Sequence, residues 1–306
     1  MGIREMNYII AIAEEGSISK AAERLFMAQS SLSQYLAGLE HELGTRLFVR
    51  TSTGVRPTES GRLIIEYAYR ERSEYHRLLD EIQDVEALKG GRVILGISTF
   101  RGVFLLPPVL EDFSRNYPGV NVEIVEANSM ALEGMLRAGT IDIALIIMPP
   151  KILKPEDVKL LMHDEICIIA AKTHPVMKAV KPSPAHSKSR IPNYITLADT
   201  MEHEYLLSDY DTILGRESRR IFLEHDLVPK VHNEKLSAFM AASMGAAGLG
   251  LAFTYYCARG AYPEAELLSL GEDGTIIELG VCLAPGRYHS KAALALMETM
   301  ISVLGD

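Results

Sequence analysis

Long apolar runs are what this sequence most plainly lacks. No stretch reaches the ~18 residues of a membrane span, and the opening MGIREMNYII has no cationic segment leading into an apolar one. The chain is therefore expected in the cytoplasm, without a membrane partner. Cysteine is also scarce. Cys167, Cys257 and Cys282 are odd in number, far apart and set in apolar neighbourhoods, which favours buried free thiols over a redox pair or a metal site. A redox trigger at Cys167 or Cys257 stands as the alternative. The nine histidines show neither HExxH nor another zinc spacing. With no nucleophile beside a base and no paired acid, we expect no catalytic residue, no metal and no cofactor.

What is present is the composition of a folded protein, 48% hydrophobic and 23% charged over 306 residues, a length that suggests two or three domains. A net charge of −9 argues against a surface coated in nucleic acid, yet leaves room for a local footprint. From Gly44 to Thr58 there is no acidic residue, while Arg46, Arg50 and Arg56 all fall there.

The stretch Gly16–Glu42, containing GSISKAAERLFMAQSSLSQYLAGLE, holds two short helical patterns around a tight turn. Leu32, Leu36, Leu39 and Leu43 make one buried stripe on the second, and Gln29, Ser30, Ser33 and Gln34 make its opposite, uncharged polar face. Such side chains suit base edges in a major groove. An ordinary helical hairpin with a solvated serine face is the competing reading. Ala21 and Ala22 keep the crossing small, Leu25 anchors the pair, and Met6, Ile9, Ile10 and Ala13 predict a preceding helix stopped by Gly16. Ser17 or Ser19 is the expected cap of the second helix. Two extended runs, Leu47 to Arg50 and Val55 to Arg56, turn around Thr53 and Gly54 and predict a wing.

The run EEGSISKAAERL, then Gln29, LEHELGTRLF, Arg50 and the sequence Thr58-Glu59-Ser60-Gly61 resembles the N-terminal domain of LysR-type transcriptional regulators. The resemblance implies base-reading by Gln29, Ser30, Ser33 and Gln34, and phosphate contacts by Ser31, Arg50, Thr51 and Arg56. Some positions depart from the usual pattern. Ala28 removes a hydroxyl cap, with Ser30 or Ser31 as substitutes; Ser30 and Pro57 stand where proline and leucine are common; Gln34 replaces an arginine and suits adenine better than guanine.

A continuous pattern from Thr58 to Leu88, ended by Lys89, Gly90 and Gly91, predicts one long helix. Ile64, Ala68, Glu71, Tyr75, Leu78, Ile82 and Val85 alternate spacings of four and three, a seam that predicts pairing with a second copy, with splaying at Glu71. Beyond Arg92, RVILGIS, VNVEIVEA and IDIALII read as strands, alternating with the helices LLPPVLEDFSRNYPG, opened by its prolines, and SMALEGMLRAG. DEICIIAAKTHP is expected to cross to a second lobe, Lys181–Asn193 to be a surface loop, and the chain to return near Leu267 and close on a helix from Ser290 to Val303. Gly245, Gly248 and Gly250 fit a helix-to-strand turn better than a phosphate loop.

The expected fold is thus α and α/β: a winged helix-turn-helix over 1–58, a linker and dimerisation helix over 59–90, and an effector-binding domain over 91–306. The last resembles the family's two-lobed, periplasmic-binding-protein-like (type 2) domain, with lobe I at about 91–165 and 268–306 and lobe II at about 166–267. Strand ends and the resemblance point to Ser98, Thr99, Phe100, Arg101, Asn128, Ser129 and Met148 in the first lobe, and to Ser208, Tyr210 and Phe253 in the second, as effector-binding. Ile147, Thr212 and Thr254 lie beside them. The expected function is a regulator controlled by a small-molecule effector. Its expected partners are double-stranded promoter DNA, a second copy of itself, a tetramer built as a dimer of dimers, and RNA polymerase. An enzyme or carrier built on the binding-protein fold is the runner-up, and it leaves the helix-turn-helix unexplained.

Overall fold

The apolar spacing at the amino end folds into α1 (Ile3–Glu15), which Gly16 ends by turning left-handed, φ 57°, and donating its N–H to the Ile12 carbonyl. This is a computed structural model describing residues 2–52, 54–85, 91–286 and 288–305. α2 (Ile18–Arg24) starts at Ser17, whose hydroxyl accepts the Lys20 N–H, whereas α3 (Gln29–Leu43) starts at Ala28 with no side-chain cap. Fully buried Ala21 and Ala22 lie where α2 meets α3, and Leu32 and Leu36 join Ile9, Ile12, Leu47 and Phe48 in one core. The leucine stripe ends earlier than its spacing predicts. Leu43 is exposed because α3 stops at Gly44 and the chain folds back beneath its last turn.

The wing consists of β1 (Phe48–Thr51) and β2 (Gly54–Pro57), paired Phe48↔Pro57 through Thr51↔Gly54; Thr53 lies outside the described residues. α4 (Glu59–Val85) begins at Thr58, whose hydroxyl accepts the Gly61 N–H at 3.0 Å and donates to the Arg46 carbonyl at 2.7 Å. The rest of the expected helix, to Leu88, lies outside the described residues. The expected pairing seam divides. Ala68 is fully buried against Met6 and Ile10 of the same chain, and Ile64 packs on the helix-turn-helix core, because α1 lies along α4. That half is an intramolecular contact, which corrects the expectation of a continuous seam. Beyond it Tyr75, Leu78 and Ile82 are exposed.

In the larger part, β3 (Gly91–Ile97), α5 (Thr99–Asn116), β4 (Val120–Glu126), α6 (Ser129–Ala138) and β5 (Ile143–Ile147) follow the expected alternation, β3 lying parallel to β4 and β5. α5, however, opens at Thr99, and Pro107 and Pro108 lie inside it. Its buried face, Phe100, Leu105, Leu106, Val109 and Phe113, runs straight through the prolines, and that burial outweighs the backbone hydrogen bonds they remove.

β6 (Lys159–Ala171), β7 (Lys181–Pro182), β8 (Asn193–Ile195), β9 (Glu204–Ser208), α7 (Ile213–Glu224), β10 (Lys230–Leu236), α8 (Ala238–Ala246), β11 (Leu251–Tyr255), β12 (Ala265–Leu270), β13 (Thr275–Leu283) and α9 (Lys291–Leu304) complete the chain. One sheet runs through both lobes in the order β10-β9-β11-β6-β13-β5-β3-β4. β6 makes the crossing: its first half pairs with β13 and its second with β11 and β12. Because β12 also pairs with β8, the return to the first lobe follows Leu270 rather than falling near Leu267. The loop after Lys181 is closed at its ends by β7 and β8, and Gly248 and Gly250, at φ 84° and 157°, turn α8 into β11.

Candidate DNA-reading face and interlobe cavity

On α3, Gln29, Ser30, Ser31 and Gln34 are exposed and Ser33 is half-buried, forming an uncharged polar row opposite the buried leucines. Beside it, Arg50, Thr51 and Arg56 are exposed on the wing. The register Val49↔Arg56 and Arg50↔Val55 sends the two arginines from opposite faces of the ribbon. Neither has a carboxylate partner among the described residues, while Thr51 Oγ1 donates to the Gly54 carbonyl and closes the turn.

Glu40 holds the wing to α3, a role the sequence reading missed. Its carboxylate, only 8% exposed, accepts the N–H groups of Leu47 at 2.7 Å and Phe48 at 3.2 Å. Arg46 lies 3.4 Å from the same carboxylate, so it is not a third open cation on the wing. Close approaches fix the other side: a Cβ on Gly54 would sit 2.2 Å from the Gly16 carbonyl oxygen, and one on Gly61 2.0 Å from that of Leu47. Phe26, in the turn before α3, was also missed. It holds φ 52° with its ring 97% exposed.

Between the lobes lies a cavity of about 1340 Å³, bounded by the start of α6, the segment after β5, the middle of β6 and β13, the Lys188–Arg190 loop and α7. Of the ten effector-binding residues expected, Ser129 and Met148 line it. Ser129 also accepts the Ile147 N–H, and Asn128 caps α6 by accepting the Ala131 N–H. Ser98 is the backbone N-cap of α5, and Thr99 donates to Glu126 at 2.5 Å. Phe253 needs correction. It is 2% exposed, stacked on Tyr205 and edge-on to Phe222, because alternation along β11 turns it into the second lobe's core. Phe100 is corrected likewise: from the first turn of α5 it enters that core, within 5.4 Å of the Phe104, Phe239 and Tyr255 ring centres. Ser208 is buried and Tyr210 is exposed, neither of them on the cavity wall.

Arg101 is also buried, its guanidinium 4.2 Å over the Tyr255 ring and 4.0 Å from Asp164 Oδ2. Asp164 Oδ1 accepts the N–H groups of Glu165 and Cys257, at 3.0 Å each. This group joins α5, β6 and the end of β11 behind the cavity. Beside it Glu165 accepts the Ser189 hydroxyl at 2.7 Å, and burial pushes its carboxyl up from the usual range.

Residues 3–62 match the bacterial regulatory helix-turn-helix protein, lysR family, and residues 86–305 match the LysR substrate binding domain. The chain belongs to the LysR family. This LysR-family protein is a DNA-binding transcriptional regulator with an effector-binding domain, built on the two-part fold expected. It is 25% identical over 307 residues to the "Probable RuBisCO transcriptional regulator" of Gracilaria tenuistipitata var. liui, covering 98% of this chain and 95% of that one. In structure it is similar to full-length CbnR in complex with its target DNA, at TM-score 0.69 and 18% identity, covering 99% and 100% of the two chains. It is also similar to full-length OxyR C199D from Pseudomonas aeruginosa, at TM-score 0.65 and 22% identity, with 98% of each covered.

In this LysR-family chain burial pushes the thiols of Cys167 and Cys257 well up and that of Cys282 to about 12, which disfavours their thiolate forms near neutrality. Among the described residues no group of three metal-ligating side chains occurs, and no helix is long and apolar enough to cross a membrane.

Proposed function

We propose that two copies of this regulator, paired through the exposed half of α4, place two α3 helices on a palindromic promoter site. Gln29, Ser30, Ser33 and Gln34 face base edges in this reading, and Ser31, Arg50, Thr51 and Arg56 take phosphates. The observation that carries it is the exposed, uncharged row on α3 beside two wing arginines without carboxylate partners among the described residues, in a chain of net charge −9. A small-molecule effector in the interlobe cavity shifts the relation of the lobes and so the spacing of the two heads. Pairing of dimers into a tetramer, contact with RNA polymerase, a cytoplasmic location and the absence of enzymatic activity belong to the same reading.

Fluorescence anisotropy with palindromic and scrambled duplexes tests it. Specific binding should weaken roughly uniformly across sequences in R50A and R56A, each reducing the salt slope by about one. Q34A should instead relax discrimination at one position of the site. Equal affinity for both duplexes at moderate salt overturns the reading.

A further inference from the structure

Five carboxylates and five lysine or arginine side chains line the interlobe cavity, but their partners are unequally shared. Both Glu133 oxygens accept backbone N–H groups, those of Lys151, Ile152 and Leu153. Asp164 has two N–H donors and Arg101 behind it. Glu217 is 2.8 Å from Arg220, and Glu278 lies 3.9 Å from the His163 ring, an ion pair only when that imidazole carries a proton. Buried Glu165, bonded to Ser189, has its carboxyl pushed toward the neutral form. Three cations on the wall have no carboxylate partner among the described residues: Lys151 and Lys188, both exposed, and Arg216, which donates to the carbonyls of Tyr210 and Asp211. Between them the wall is apolar, with Ile147, Met148, Ile213 and Ile277.

We propose that this cavity takes a small organic anion with an apolar body, held between Lys151 of the first lobe and Lys188 and Arg216 of the second. The inference rests on the reading of the cavity as the effector site and names the chemistry of its ligand. Cations facing one another across the cavity oppose closure, and an anion between them favours it, so binding and lobe closure are coupled through charge.

The test uses the full chain and two fluorescent probes that share a ring system, 8-anilinonaphthalene-1-sulfonate and the uncharged N-phenyl-1-naphthylamine. The sulfonate should bind saturably and at least about tenfold more tightly than the neutral probe. K151Q/K188Q should lose roughly tenfold of the sulfonate affinity and R216Q should also weaken it, with the neutral probe unchanged. Neutralising lysines away from the cavity, in K172Q/K181Q, should change neither. No saturable sulfonate signal, equal affinity for the two probes, or full sulfonate affinity in K151Q/K188Q overturns the proposal. Operator footprints with each probe separate the two readings. A sulfonate that binds through Lys151 and Lys188 without changing the footprint sinks the effector-site reading and leaves the anion preference standing. A neutral probe that binds equally well and changes the footprint sinks the preference alone.

Discussion

Glu40 ties α3 to the wing through two backbone N–H groups, those of Leu47 and Phe48, that it keeps from being buried without a partner. E40A should therefore cost about 2 kcal/mol in denaturant unfolding, with weaker DNA binding because the wing loses its seat. Phe26 poses the opposite case. Its left-handed φ of 52° and its 97% exposed ring both cost the isolated chain, and a duplex seated against the turn would cover that ring. F26G should stabilise the protein by about 1 kcal/mol in thermal unfolding while weakening its hold on DNA in anisotropy; stabilisation with unchanged affinity would assign the ring no part in recognition. Neither residue was legible in the sequence. Glu40 reads there as one more polar helix position, since its partners lie in a segment without periodicity, and Phe26 reads as an ordinary apolar residue in a turn.

Elements were read better than their ends. The row Gln29 to Gln34 and the wing arginines emerge on the surface as the 3.6 and 2.0 periods require, and Thr58 caps α4 as its motif suggests. The prolines of α5 misled because a local rule about backbone geometry competes with a buried face that only the folded sheet supplies. The strand-end rule placed Ser129 and Met148 on the cavity but missed the cations there, which come from a loop, a helix flank and the segment after β5. In α4 the heptad spacing served two partners at once, α1 of the same chain for Ala68 and open surface for Leu78 and Ile82. If that outer half pairs two copies, L78E/I82E should sediment as one subunit at micromolar concentration. It should also lose at least about a hundredfold in affinity for a palindrome while keeping its affinity for a half-site. A variant that remains paired places the dimer contact elsewhere.

For the whole molecule, the polar groups buried behind the cavity make stability depend on pH. The Glu165 carboxyl is raised above its unfolded value, so the stability linked to its proton is fully present below the unfolded value and is lost as pH rises through the folded one. E165Q should melt higher than the parent at pH 7, and the difference should shrink toward pH 4; a gap that does not vary with pH would trace the gain to packing instead. The phenyl group of Phe100 bears on motion. It belongs to a helix of one lobe and sits in the interior of the other, among Phe104, Phe239 and Tyr255. If the ring is to stay buried, closure of the cavity around a ligand has to proceed as a rotation about this peg. A signal leaving this regulator should accordingly be a swivel of few degrees, passed to the stalk as torsion.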